Sequence, residues 1–182
     1  MSVEIRKARR DDAACLAALS IQVWLSTYLT DGIRPSLADY VLTEFTPANF
    51  EALIADRSHH LLVLERSGHL LGYAQLSLDS ACEGCDGPAL ELERLYLVEN
   101  HTGQGLGRRL MMAARQWAQV QSGQPRLWLR VWHGNERAIA FYRRLGMALH
   151  GETHFELEGA RHLNYVMLDP APVGAAVAVA NV

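Results

Sequence analysis

Residues 99–118, ENHTGQGLGRRLMMAARQWA, set three glycines within five residues (Gly103, Gly105 and Gly107) directly ahead of a segment with helical periodicity. Glycines at that place remove side chains, so that a ligand can approach main-chain N–H groups that the first turn of a helix leaves unpaired and its dipole makes attractive to anions. The neighbouring residues discriminate among phosphate loops. A Walker loop requires Lys and then Ser or Thr after the last glycine, whereas this chain has Arg108 and Arg109. A dinucleotide fingerprint requires G-x-G-x-x-G, and counting from Gly103 or Gly105 ends on Arg108 or Leu110. What remains is T-G-Q-G-L-G, residues 102–107, read either as a phosphate cradle or as a glycine-rich turn that only caps a helix.

Leu106, Leu110, Ala114 and Trp117 fall on one face of the helix that follows, expected from Gly105 to about Gln121. At 1.5 Å per residue it would be roughly 25 Å long. Upstream, VEIRKA (3–8) alternates as a strand, and DDAACLAALSIQVWLSTYL (11–29) has helical spacing with Asp11 or Asp12 as cap. A second helical region spans 36–57, from SLADYVL to ANFEALIADR. HLLVLER (60–66) and LLGYAQLSLD (70–79) read as a hairpin turning at Ser67 and Gly68, and ALELERLYLV (89–98) as a further strand. RLWLRVW (126–132) is the next strand, NERAIAFYRRLG (135–146) a short helix closed by Gly146, and HFELEG (154–159) with RHLNYVMLD (161–169) a last strand pair. Helices thus interrupt a mostly antiparallel set of strands, an α/β (α+β) fold.

A chain of 182 residues that is 49% hydrophobic suffices for one domain with a real core, expected over 1–169. The apolar tail from Pro170 to Val182 reads as a loose extension. No stretch approaches the ~20 apolar residues of a membrane span, and the first ten residues lack a signal-like apolar run, so the expectation is a cytoplasmic protein without membrane contact. Cys82 and Cys85 form a C-x-x-C with no second pair to complete a four-ligand zinc site, so they are expected as two reduced loop thiols. The eight histidines show no metal spacing; His101 and His133 flank the motifs, and His133, near Asn135, is the one candidate for a test. The four tryptophans are assigned to the core.

Net charge is −3 but uneven: residues 1–100 hold 8 Lys and Arg against 15 Asp and Glu, and residues 101–150 hold 8 Arg against Glu136 alone. A basic half that begins at the glycines suits a polyanionic ligand, and an acidic half suits a cationic one. Nucleic acid would account for the basic half only and leaves the glycine loop without a role, so no nucleic-acid partner is expected.

Three stretches in order, LELERLYLV (90–98), TGQGLGRRL (102–110) and RVWHGNERAIAFYRRLGM (130–147), together resemble the GCN5-related N-acetyltransferases, which move an acetyl group from acetyl-CoA to an amine. Within that superfamily they look most like the bacterial PaiA-type polyamine acetyltransferases. The resemblance covers residues 3–169 and implies a mixed sheet of about seven strands flanked by about four helices. It further implies acetyl-CoA as co-substrate, no metal, and direct attack by a primary amine in a ternary complex. In the family's Arg/Gln-x-x-Gly-x-Gly/Ala pattern the backbone holds the CoA pyrophosphate, which maps the cradle onto Thr102, Gly103, Gln104, Gly105, Leu106, Gly107 and Arg108. The first position departs from the pattern as Thr102, and Gln104, Arg108 and Arg109 are the candidates to replace the lost polarity.

Acetyl transfer needs the acceptor as free base. An amine with a pKa of about 10.4 is unprotonated at pH 7 in only ~1 part in 2,500, so freeing it costs about 4.6 kcal/mol. Glu91 and Glu93 are the candidate bases, and strict alternation puts them on one strand face with Leu95 and Leu97. Alignment with the family leans toward Glu91 as base, and the other glutamate would hold the cation. The family further implies that the strand at Leu95, Tyr96 and Leu97 splays from its neighbour and offers free backbone groups to the pantetheine arm and thioester. Asn135 is a helix N-cap by its own position, to which the family adds a pantetheine contact. Tyr142 shares a helix face with Ala138, Phe141 and Leu145 and so has a core reading, while the family makes it the general acid for the departing thiolate. Arg143 and Arg144 read as a solvated face.

Between Asp79 and Glu99 stand six acids and one arginine, which favours a polycationic acceptor such as spermidine or spermine. The alternatives are a protein or peptide N-acetyltransferase and a non-catalytic acetyl-CoA sensor. A homodimer is left open.

Overall fold

The computed structural model describes residues 2–29, 32–82, 84, 85, 89–123, 126–157 and 160–170, so the tail beyond Pro170 lies outside the described residues. Among them are seven strands and five α-helices: β1 (Glu4–Lys7), α1 (Ala13–Tyr28), α2 (Pro35–Glu44), α3 (Pro47–Ala55), β2 (His59–Arg66), β3 (His69–Ser77), β4 (Leu90–Leu97), α4 (Leu106–Ser122), β5 (Leu127–Trp132), α5 (Glu136–Arg144), β6 (Ala148–Leu157) and β7 (Ala160–Leu168). The sheet order is β1-β2-β3-β4-β5-β7-β6. Its pairs are antiparallel except β4 with β5.

Local chemistry explains where these elements begin and end. The β2–β3 turn uses left-handed backbone at Ser67 (φ 53°) and Gly68 (φ 79°), the twist that a two-residue hairpin needs. The region expected as one helical stretch over 36–57 divides, because Pro47 has no N–H with which to continue α2. Thr46 then starts a new helix, its hydroxyl accepting from the Asn49 N–H at 3.1 Å. β6 begins at Ala148, ahead of the expected His154, and a register shift between Leu149 and Gly151 hides its period-two pattern from the sequence.

Two helical layers cover the sheet. α4 and α5 pack Leu110, Met111, Ala114, Ile139 and Tyr142 against Leu62, Leu64, Leu76, Leu92 and Leu129. α1, α2 and α3 pack Leu16, Trp24, Val41 and Phe50 against Leu61, Val63 and Tyr73 on the other face. β2 therefore serves both cores through alternate residues, and each fully buried large apolar side chain contributes about 1.5–3 kcal/mol relative to exposure.

Two irregularities in β4 position the site. The β3 ladder pairs Leu76 with Leu92 and Gln75 with Arg94, so Glu93 is skipped as a bulge. This corrects the expectation of one face for Glu91, Glu93, Leu95 and Leu97. The extra residue inverts the alternation, so Leu92, Leu95 and Leu97 face the α4 core while Glu91, Glu93, Arg94 and Tyr96 line the opposite side. Toward β5, the ladder consists only of Leu90 with Leu127 and Glu91 with Trp128. Beyond it the two strands diverge, as the family resemblance implies for Leu95, Tyr96 and Leu97.

Candidate active site

The cradle is built by backbone conformation. Gly105 caps α4 in the left-handed region (φ 76°, ψ 0°), and Gly103 shares that φ. The first intrahelical bond runs from the Arg109 N–H to the Gly105 carbonyl at 3.1 Å, and no side chain caps the helix. The amides of Leu106, Gly107 and Arg108 therefore point outward without helical partners. A Cβ on Gly103 or Gly105 would meet nothing within 4 Å, so the space before these amides is open. Gly107 answers a different need, because a Cβ there would lie 3.3 Å from the Phe141 ring, where α5 approaches α4.

The polar residues around the loop divide. Thr102 donates its hydroxyl to the Glu99 carbonyl at 2.8 Å, and Gln104 donates to the Asn100 carbonyl at 3.1 Å. Arg109 turns away, donating to the Val3 carbonyl at 2.8 Å, and Arg108 lines the same depression as Arg109, Met112 and Gln116. Of Gln104, Arg108 and Arg109, the candidates to replace the motif's first side chain, Arg109 is thus held away from the loop. Arg137 of α5 stands beside the loop, where it donates to the Thr102 hydroxyl and lies 3.3 Å from Glu99 Oε1. A signal existed for it: a cation in the first turn of a helix opposes the dipole, and so marks a residue held by outside partners. Leu97, Thr102, Asn135 and Arg137 line one groove with Ser26 and Thr27 of α1. Asn135 caps α5 as expected, Oδ1 accepting from the Ala138 N–H at 3.1 Å.

On the α1 side of the β4–β5 divergence is a cavity of about 420 Å³. Its walls include Trp24, Tyr28, Tyr40, Tyr96, Trp132 and Phe155. Trp24 is a core residue that also reaches the cavity wall, whereas Trp132 belongs to the wall alone, which corrects its assignment to the core. Burial pushes the Tyr28, Tyr40 and Tyr96 hydroxyls above the ordinary phenol range, so these rings remain neutral. His154 and His162 also line the cavity, whereas His133 is exposed and touches the edge of Trp132 with ring centres 5.7 Å apart. Nothing in the local sequence marks the two lining histidines, since strand pairing between β6 and β7 brings them there.

Glu91 is 1% exposed at the cavity wall. Its Oε1 accepts from Arg130 Nε at 2.9 Å and Nη2 at 2.7 Å, while Oε2 is buried without a hydrogen-bond partner among the described residues. Glu93 accepts from Gln75 at 2.5 Å and stands 3.6 Å from His59 Nε2, and His59 Nδ1 lies 3.1 Å from Asp56. Gln75 in turn accepts from Arg94 at 2.8 Å, and Arg94 pairs with Glu44 at 2.5 Å. A continuous polar chain thus runs behind the cavity from Glu44 to Asp56. Tyr142 is 8% exposed and packs in the α4–α5 core, as its periodicity suggests. Burial, and secondly the nearby Tyr28, push its hydroxyl well above the ordinary phenol value. Tyr28 itself stands 5.6 Å from Trp132, ring centre to ring centre, on the cavity wall. The structure thus sets a neutral phenol and a buried carboxylate on either side of the strand divergence, while Arg143 and Arg144 lie exposed.

The expectation of two separate loop thiols is also corrected: Cys82 and Cys85 are joined as a disulfide with Cα atoms 5.5 Å apart. The two-residue spacing and the turn bonded from Cys85 N–H to the Cys82 carbonyl at 3.3 Å bring the sulfurs together.

The model of the acetyltransferase (GNAT) family matches residues 22–147. Streptothricin acetyltransferase of Streptomyces lavendulae is 31% identical over 163 residues, covering 81% of this chain and 82% of that protein. Among solved structures, PaiA N-acetyltransferase from Thermoplasma acidophilum, in complex with coenzyme A, superposes with a TM-score of 0.75 at 20% identity, covering 93% of this chain and 99% of that one. A variant of spermidine N-acetyltransferase SpeG from Vibrio cholerae superposes at 0.64 and 18% identity, covering 91% and 92%.

Proposed function

The chain belongs to the acetyltransferase (GNAT) family and is an acetyl-CoA-dependent N-acetyltransferase, and from that premise we propose how its residues share the reaction. The amides of residues 103–108, with Arg137 beside them, hold the pyrophosphate, where a helix N-terminus and a cation favour negative charge. The pantetheine arm follows the groove past Asn135 to the unpaired edge of β4 at Leu95, Tyr96 and Leu97, where main-chain donors meet the thioester oxygen. The amine nitrogen enters from the aromatic cavity. Glu91 takes its proton through Oε2 while Arg130 holds Oε1, and Glu93 holds the remaining cationic charge. The nitrogen attacks the thioester carbon, the C–S bond breaks, the departing thiolate takes the proton of the Tyr142 hydroxyl, and the second proton of the attacking nitrogen leaves to solvent, from which Tyr142 is reprotonated. A phenol held protonated by burial suits that donation.

The observation that carries this reading is the unpartnered Oε2 of Glu91. A buried carboxylate oxygen without a donor is destabilised by about 1–3 kcal/mol, and an incoming ammonium or amine N–H supplies the missing donor.

For the acceptor we propose a polyamine such as spermidine or spermine. An alkyl chain punctuated by ammonium groups suits a cavity lined by aromatic faces, each worth about 0.5–2 kcal/mol to a cation, with Glu91 and Glu93 at its floor. The spermidine N-acetyltransferase fold neighbour accords with this. The identity to streptothricin acetyltransferase favours a second reading, an antibiotic amine. A thiol-release assay with acetyl-CoA and a panel of spermidine, spermine, streptothricin and a lysine peptide decides. Preference for either polyamine by tenfold or more in kcat/KM supports the first reading, and preference for streptothricin supports the second. Preference for the peptide moves the assignment to proteins, while coenzyme A binding without any turnover assigns a sensor.

A further inference from the structure

The C-x-x-C loop lies outside the reaction just described, yet it is not isolated. It packs against β6, where one ligand atom each from Cys82, Cys85 and His150 all lie within 4.8 Å of one another. Gly84, between the two cysteines, takes the left-handed conformation (φ 72°), and a Cβ there would stand 3.7 Å from His150 Nε2. The loop backbone thus lies directly over the imidazole. His150 precedes Gly151, where the β6 register shifts. The depression around the cluster is lined by Trp128, Arg130 and Glu152, and Arg130 is the residue that also grips Glu91.

We infer that Cys82, Cys85 and His150 form a binding site for a zinc-like dication when the disulfide is reduced, fastening the β3–β4 connection to β6. Two thiolates and an imidazole are the ligand set that selects a borderline-soft metal over magnesium or calcium. Bonds of about 2.0–2.3 Å in a tetrahedron place neighbouring ligand atoms roughly 3.3–3.8 Å apart, a spacing the cluster reaches once the sulfurs part. The fourth position falls to solvent. The chemistry balances with a phosphine as reductant: the S–S bond takes two electrons and two protons to give two thiols, and the phosphine leaves as its oxide with an oxygen from water. Zinc then displaces both thiol protons to solvent.

The test uses the full chain carrying Cys15→Ser, which removes the exposed free thiol on α1. Phosphine-reduced and oxidised protein are each incubated with zinc, passed over a desalting column and assayed for metal by mass spectrometry. Cobalt(II) titration follows, read by sulfur-to-metal charge-transfer absorption. The expected result is about one zinc per reduced chain, little on the oxidised chain, and at least tenfold weaker cobalt binding in Cys85→Ser and in His150→Ala. The site also predicts that zinc raises the thermal midpoint of the reduced protein and leaves the oxidised protein unmoved. Equal zinc on both redox forms, less than about a tenth of an equivalent on the reduced form, or a cobalt spectrum unchanged by His150→Ala overturns the proposal. The comparison of redox forms needs no variant at the cluster and stands even if one misfolds. Because acetyl transfer is not the readout, failure here leaves the enzymatic reading untouched.

Discussion

The glycine loop and the aromatic cavity are built in opposite ways. The loop offers main-chain amides from one continuous stretch, residues 103–108, whereas the cavity collects side chains from α1, α2, β4, β5, β6 and β7. A cradle of amides is indifferent to side-chain identity and is spoiled chiefly by an added Cβ. Thr102, at a position where the family shows Arg or Gln, leaves the amides in place for that reason. A cavity of side chains is set by every wall residue and can be refitted to a new acceptor without disturbing the cradle. The two regions meet at the β4–β5 divergence, and substitutions on either side should separate cofactor effects from acceptor effects.

The largest effect is expected from Glu91→Gln. Loss of the base should lower kcat/KM for the amine by about 10²–10⁴, with coenzyme A affinity unchanged by calorimetry. Its residual rate should climb with pH toward the amine's own pKa, since the amine must then deprotonate unaided. Equal loss of coenzyme A affinity would break the division. Tyr142→Phe comes next, with kcat reduced by about 10²-fold and acetyl-CoA binding retained. Because its hydroxyl titrates above the ordinary phenol value, no alkaline loss of kcat assignable to Tyr142 should appear below about pH 10. Gly105→Ala should act on the other side of the divergence. A Cβ in left-handed backbone costs about 1–2 kcal/mol and intrudes on the pyrophosphate, so KM for acetyl-CoA should rise roughly tenfold with amine KM little changed.

The smallest effect lies behind the cradle. His60 stacks on Trp117 of α4 at 3.9 Å, and burial, with Lys7 adding to it, lowers its pKa to about 4. Such a histidine takes its proton more readily in the unfolded chain than in the folded one. Stability is therefore full above the unfolded pKa of about 6.5 and declines as pH falls toward 4. Replacement by Phe, which stacks and cannot protonate, should reduce the drop in thermal midpoint between pH 7.5 and pH 5 by about 2–4 °C. An unchanged drop would show that acid sensitivity arises elsewhere.

What could be read in advance followed the same division. The glycines, the Asn135 cap and the α4 stripe are local patterns, and a local pattern survives in a linear sequence. Alternation in LELERLYL reads as an unbroken strand, because nothing in the residue types marks Glu93 as skipped when β3 pairs on either side of it. The aromatic residues of α1 and α2 look like any apolar helix face, and only the closure of β5 against α1 turns Tyr28 toward Trp132. His150 and the cysteine loop are more than sixty residues apart, a distance that pattern reading does not cross. The break before α3 is the exception, since Thr46 followed by Pro47 is a readable helix start.

The skipped residue in β4 has one more effect. Strict alternation forbids two successive charges on the same side of a strand, yet here Glu93 and Arg94 share a wall with Glu91. The lining is consequently a fixed dipole and not a uniformly anionic surface. A guest would then be sorted by which end reaches these residues, so molecules of equal net charge but opposite orientation of amine and tail should bind unequally.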